Sequence, residues 1–392
     1  MRPAPRALPT SRLAPSFLAL VLAGSLAACG SEATDGQAGQ PAPAPSPSSP
    51  SSAAASPSAP VSPSAPEPVA PVAPSSGPEV LVTGLEVPWG LAFLPGGDAL
   101  VSERDSARVL RVPAEGGEPV EVTTISQTRP SGEGGLLGLA VSPDFTTDQL
   151  VFAYLTAADD NRVVRFRLDR PQDVTPVLTG IPKGRVHNGG RLAFGPDGLL
   201  YAGTGDTGDT SLAQDPRSLG GKVLRMTPEG EPAEAAGSLV FTLGHRNVQG
   251  LAFDDAGKLY ATEFGQDRFD EVNALVEGGN YGWPEVEGAG DGGGRFTAPL
   301  LIWETSEASP SGAAVAGGAL WVAALRGERL WQVPITGSGD PQSFFRGDFG
   351  RLRAAETAPD GSLWVLTSNR DGRGDPVRED DRVLRLAMGN AR

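Results

Sequence analysis

One local pattern returns six times between residues 90 and 386, and no other feature of the 392-residue chain restricts its fold so tightly. Each copy opens on small and apolar residues, passes a turn carrying Pro or Asp-Gly, and continues as a short strand. A few polar residues then lead to a second strand ending in Val or Leu. The openings read Gly90-Leu91-Ala92-Phe93, Gly138-Leu139-Ala140-Val141, Arg191-Leu192-Ala193-Phe194, Gly250-Leu251-Ala252-Phe253, Gly312-Ala313-Ala314-Val315 and Glu356-Thr357-Ala358-Pro359. They lie roughly 40 to 60 residues apart, the period of four-stranded propeller blades rather than of helical solenoids. Helical periodicity is weak, and Gly and Pro interrupt the chain too often for helices of ordinary length. A two-sheet sandwich has no reason to repeat one turn motif six times. The expectation is an all-β fold, a six-bladed β-propeller of four-stranded antiparallel blades, over residues 78–392. Loops on one face of a propeller converge around its central channel, so residues far apart in sequence can share a pocket.

The first 77 residues have a different character. Arg2, Arg6 and Arg12 precede an apolar run that starts near Phe17 and ends Leu26-Ala27-Ala28-Cys29, which reads as a secretory signal over residues 1–28. The run is shorter than the roughly 20 residues of a spanning helix. Leu-Ala-Ala-Cys resembles a bacterial lipobox, whose cysteine is lipidated and becomes the mature N-terminus, and Cys29 is the only cysteine of the chain. That resemblance implies a protein lipid-anchored to the outer face of the bacterial cytoplasmic membrane or held in the periplasm, touching membrane only through Cys29. Residues 29–77 are almost wholly Ala, Pro, Ser, Gly and Gln, too poor in apolar surface to offset ordering entropy, and are expected to be a tether. A net charge of -15 without any basic cluster excludes nucleic-acid binding and an electrostatic grip on anionic lipid.

Chemistry concentrates in residues 244–284, where a histidine, the Arg246-Asn247 pair, a carboxylate-rich turn and an aromatic-glycine hairpin are interleaved with short strands. The chain has two histidines, His187 and His245. Each lies at the edge of a blade, and a neutral imidazole at such a position is suited to taking a proton near neutral pH. The bland alternative is a hydrogen-bonded structural histidine.

Four motifs in order, GEGGLLG at 132–138, HNGGRL at 187–192, GHRNVQG at 244–250 and GGNYGWP at 278–284, resemble the soluble pyrroloquinoline-quinone-dependent sugar dehydrogenases, the glucose/sorbosone dehydrogenase family, and its aldose dehydrogenase branch in particular. The resemblance implies an oxidoreductase converting the anomeric hydroxyl of aldose sugars to a lactone, with hydride passing to the quinone and electrons onward to an external acceptor. It places His187 as general base, Arg246 and Asn247 at the quinone, and Glu133 beside the sugar and base. Arg326, Arg351 and Arg353 fall at cofactor-binding positions, and Trp303 near the substrate mouth. For Ca²⁺ it implies ligation by the carbonyls of Gly265 and Gln266, with Asp270, Glu271 and Tyr281 at a second, structural ion. The residue types suit these tasks, since a tricarboxylate cofactor calls for guanidinium groups and Ca²⁺ for carbonyl and carboxylate oxygens.

Some positions depart from soluble glucose dehydrogenase. Val186 replaces an aspartate before the histidine and removes a sugar-side polar group, which argues against a glucose preference. Glu133 replaces a glutamine, Gln266 a proline and Arg326 a lysine. Residues 203–208, GTGDTG, fit a dinucleotide-binding pattern literally, but no helix-forming run follows and Asp206 would repel a pyrophosphate. Two other readings fit a propeller: a calcium-dependent lactonase, and a non-catalytic binding module.

Overall fold

The computed structural model describes residues 72–389 except 234–236 and 336–338. The signal segment, Cys29 and the tether up to residue 71 lie outside the described residues. The described residues form six four-stranded antiparallel sheets with two single-turn helices between strands. The first blade shows the plan. Pro88–Phe93 is its inner strand, followed outward by Ala99–Glu103, Arg108–Val112 and Val120–Thr124. The other inner strands are Leu136–Val141, Leu192–Phe194, Val248–Phe253, Pro310–Ala316 and Leu352–Thr357. Each packs against the next and the sixth against the first, so the ring is closed.

Five sequence copies open on the inner strand of a blade and the sixth on the last two residues of its own, Leu352–Thr357, so the expected propeller is what the chain forms. The glycines that open four copies have a steric reason. A Cβ on Gly138 would lie 2.2 Å from the Gly190 carbonyl oxygen, and one on Gly250 2.4 Å from that of Ser311. Neighbouring inner strands therefore touch backbone to backbone near the axis. Further out, apolar residues of facing sheets interdigitate, as Leu100, Val109, Leu136 and Val151 do between the first two blades. Five inner strands begin two or more residues before the repeat and carry a register irregularity there, for example between Leu136 and Leu139. Such bulges re-aim side chains at the rim of a ring.

The sixth blade takes three strands from the C-terminal end, Leu352–Thr357, Leu363–Thr367 and Val383–Leu386, and its outer strand, Glu79–Val82, from the other end of the fold. Glu79 pairs with Arg385 in register, and their side chains form an ion pair at 2.7 Å. Residues 72–77, within the stretch read as tether, already lie against the propeller: the Val72 N–H bonds to the Gly317 carbonyl at 3.0 Å and that of Ser75 to Ala387 at 2.9 Å. Because every inner strand runs in the same sense, the loops between second and third strands and those between blades gather on one face. His187, Glu133, Arg246, Asn247, Gly265, Gln266, Arg326 and Arg351 lie on these loops and Arg353 at the start of an inner strand, whereas Asp270 and Glu271 begin the third strand of the fourth blade, Phe269–Ala274, and Tyr281 and Trp303 come after it.

Candidate active site

His187 lies between the second and third blades with φ of +53°, a left-handed conformation that costs a non-glycine residue on the order of 1 kcal/mol. Its neighbours hold it there. Its N–H donates to Glu133 Oε2 at 2.9 Å, its carbonyl accepts from the Thr207 N–H at 3.2 Å, and Nδ1 meets Asp206 Oδ1 at 2.6 Å. The side chain is 17% exposed, and Nε2 has no hydrogen-bond partner among the described residues. Asp206, from the dismissed GTGDTG stretch, is fully buried and also accepts the Trp283 indole N–H at 2.8 Å and the Gly208 N–H at 2.8 Å. Burial alone would raise its carboxyl, but His187 and these donors outweigh burial and hold it below the usual range. A carboxylate at Nδ1 favours the tautomer that donates there, which leaves Nε2 as the ring nitrogen open to a substrate.

Glu133 faces the same place. Besides His187 it accepts from the Arg373 guanidinium at 2.8 Å, a contact between loops 240 residues apart. These two contacts keep its carboxyl below the ordinary value despite burial. Glu133, Arg373, Asn188, Gln249, Arg353, Arg104, Trp89 and Phe264 line one small pocket on the axis.

Guanidinium groups gather around it. Arg351 and Arg353 are buried and share Asp371, at 2.9 Å and 3.7 Å. Arg353 also donates to Gln249 Oε1 at 3.0 Å and lies over the Trp89 ring, and burial pulls its pKa down to about 9. Arg246 donates to the Phe264 carbonyl at 3.1 Å beside Trp283, and Asn247 Oδ1 accepts from the Gly189 N–H at 3.0 Å. Nε of Arg246, Arg351 and Arg353 and Nδ2 of Asn247 are buried donors with no partner among the described residues. Buried orphan donors are costly and call for an acceptor, so these residues fit an anionic, multiply carboxylated ligand.

Other sequence candidates are placed differently. Arg326 is exposed on the same face and does not line the axial pocket. Trp303 is not at the substrate mouth: it is buried in the core, stacked on Trp331 at 5.3 Å, because its strand Leu301–Glu304 is the outer strand of the fourth blade. His245 is buried between Glu263 Oε2 at 3.0 Å and Thr242 Oγ1 at 2.8 Å and stacks on Tyr281, so it is a structural histidine. Burial lowers its pKa to about 3, leaving it neutral.

For the metal residues the loop geometry is informative. The N–H of Gly265 goes to Asp270 Oδ1 at 3.0 Å, and those of Gln266, Asp267, Arg268 and Phe269 go to Glu287 Oε1 at 2.7 to 3.2 Å. A trans peptide points C=O opposite to N–H, so the Gly265 and Gln266 carbonyls turn away from these carboxylates. Neither has a donor among the described residues, which fits a hard cation. Asp270 and Glu271 do not form a side-chain cage with Tyr281. Asp270 accepts the Gly265 and Ser309 amides, Glu271 accepts the Gly288 amide and Asn273, and the Tyr281 hydroxyl bonds to backbone at Ala274 and Val276. No cluster of three or more His, Cys, Asp or Glu side chains suited to a metal occurs among the described residues. Through these amide contacts Asp270 and Glu271 brace the loop, and burial pushes their carboxyls up, to about 6 and about 8.

A wider cavity of about 310 Å³ opens at the opposite end of the axis between the ends of the inner strands. It contains none of the site groups. Its one ionisable lining residue is Glu356.

Fold and site together define a six-bladed propeller with a histidine-carboxylate dyad beside an arginine-rimmed axial pocket. The family model described as Glucose / Sorbosone dehydrogenase matches residues 85–379, and the chain belongs to that family. Among solved structures it is similar to the pyrroloquinoline-quinone-bound form of aldose sugar dehydrogenase from Streptomyces coelicolor, with 53% identity and a TM-score of 0.76 over 81% of this chain and 100% of that one. Quinoprotein glucose dehydrogenase B of Acinetobacter calcoaceticus is 32% identical over 260 residues, 55% of this chain and 54% of that protein. The aldose sugar dehydrogenase YliI of Escherichia coli is 28% identical over 75% of this chain and 90% of its own length.

Proposed function

We propose that the chain oxidises the anomeric hydroxyl of aldose sugars to lactones with pyrroloquinoline quinone and Ca²⁺, passing electrons to an external acceptor. The observation that carries this reading is the free Nε2 of a carboxylate-held imidazole on the same face as four orphaned buried donors. When bound, the quinone supplies the two-electron oxidant, and calcium at the Gly265 and Gln266 carbonyls the Lewis acid. His187 Nε2 takes the proton of the anomeric hydroxyl. Asp206 keeps the ring in the Nδ1–H tautomer and stabilises the imidazolium that results. Glu133 holds the His187 backbone and presents a carboxylate to the sugar hydroxyls, while Arg246, Asn247, Arg351 and Arg353 bind the cofactor, with Arg326 at the outer rim. The exposed Val186 offers no polar contact beside the base, which favours aldoses other than glucose. Lipidation at Cys29 would place the enzyme at the outer face of the membrane or in the periplasm, and a Cys29→Ser variant released into the soluble fraction would support this.

The test is reconstitution with quinone and Ca²⁺, an aldose panel and a dye acceptor. His187→Ala is expected to lose at least about 10²-fold in kcat. Undiminished turnover by that variant removes His187 from its role, and lactone hydrolysis without added quinone favours the lactonase.

A further inference from the structure

Five consecutive N–H groups, those of residues 265–269, converge on two carboxylates, and four of them on the single oxygen Oε1 of Glu287. A concave run of backbone N–H groups is ordinarily an anion site. Here the anion is supplied by the chain itself, from the segment that follows Trp283-Pro284. The approach is built in. A Cβ on Gly265 would lie 1.8 Å from the Phe269 carbonyl oxygen and 2.8 Å from Glu287 Oε1. The next residue, Gly288, packs on the Phe269 ring so closely that a Cβ would come within 2.4 Å, and its N–H is held by Glu271 at 2.7 Å.

We propose that Glu287 organises the cation loop: it gathers the N–H groups of residues 266–269, turns the carbonyls of Gly265 and Gln266 outward, and polarises them for a divalent cation. This rests on the reading that those two carbonyls ligate calcium. The two peptide units concerned each have N–H on a carboxylate and C=O free, and hydrogen bonding at one end of an amide strengthens the other end as an acceptor. Glu287 is thus a positioning residue acting through the backbone.

The experiment uses the full-length protein stripped of metal and free of quinone. Calcium chloride is titrated by calorimetry into wild type, Glu287→Gln and Glu287→Ala, and amide exchange is followed over residues 265–269. Both variants should raise the half-saturating calcium concentration by about tenfold or more, the usual effect of losing a partner that orients metal ligands. Loop amides should exchange faster while the blades stay protected, since residues 266–268 are exposed and water can solvate the freed N–H groups. After quinone loading, saturating calcium should restore kcat in Glu287→Gln. Equal calcium midpoints, or unchanged loop exchange, in the variants overturn this inference alone. A wild type that takes up quinone and turns over without calcium overturns the calcium reading and this inference with it.

Discussion

Asp206 satisfies three donors with one carboxylate: the His187 ring, the Trp283 indole and the Gly208 amide. An asparagine there keeps the shape but sets an NH₂ against one of these donors. Asp206→Asn should therefore lower kcat on the order of 10²-fold with a much smaller change in KM, read from aldose saturation curves. It should also cost about 2 kcal/mol of stability at neutral pH. The sign of the pH dependence follows from the depressed carboxyl. Its contribution is complete above the ordinary aspartate value of 3.8 and fades as pH falls through the lower folded value. The gap between wild-type and variant melting temperatures should thus close below about pH 4. The sequence concealed this residue because a glycine-rich hexapeptide fits a nucleotide motif, and only the fold brings residues 187 and 206 together. Glu287 was equally hidden, since it acts on backbone N–H groups that no side-chain pattern records. His187, Glu133, Arg246 and Asn247 stand out in the sequence because each sits in a contiguous motif at a blade edge, whereas Arg351 and Arg353 lie in no such motif and are suggested only by the family resemblance. Trp303 misled because its local sequence does not tell an outer strand from a mouth.

Among the elements, the inner strands were read closely and the outer ones were not. The inner strands carry the repeat because they touch on both sides near the axis, and that contact dictates small residues. Outer strands such as Arg170–Ile181 have mostly exposed or half-exposed side chains, and a solvent-facing edge imposes little pattern. Gly138→Val tests the inner contact. Its Cβ would have to displace the Gly190 carbonyl, directly before Arg191 and two residues after Asn188, so a loss of about 3 kcal/mol or more by denaturant melt should come with weakened quinone binding. The same substitution at the open turn position Gly198, which has no neighbour within 4 Å but a φ of +76°, should cost only backbone strain, about 1 to 2 kcal/mol.

For the molecule as a whole, charge and function pull apart. The chain is acidic overall at -15, yet its axial pocket is lined by arginines. Anionic acceptors must approach against the net field, which salt screens over about 10 Å at 0.1 M. Under the proposed reaction, turnover with an anionic dye should rise with ionic strength and turnover with a cationic dye should fall, measured at saturating aldose. Ring closure has another consequence. A ribosome delivers Glu79–Val82 long before it delivers Val383–Leu386, the strand they must pair with. The first strand waits, unmatched, for nearly the whole of synthesis. A product terminated early lacks its clasp and exposes the raw side of a sheet, so an incomplete copy marks itself for aggregation or proteolysis.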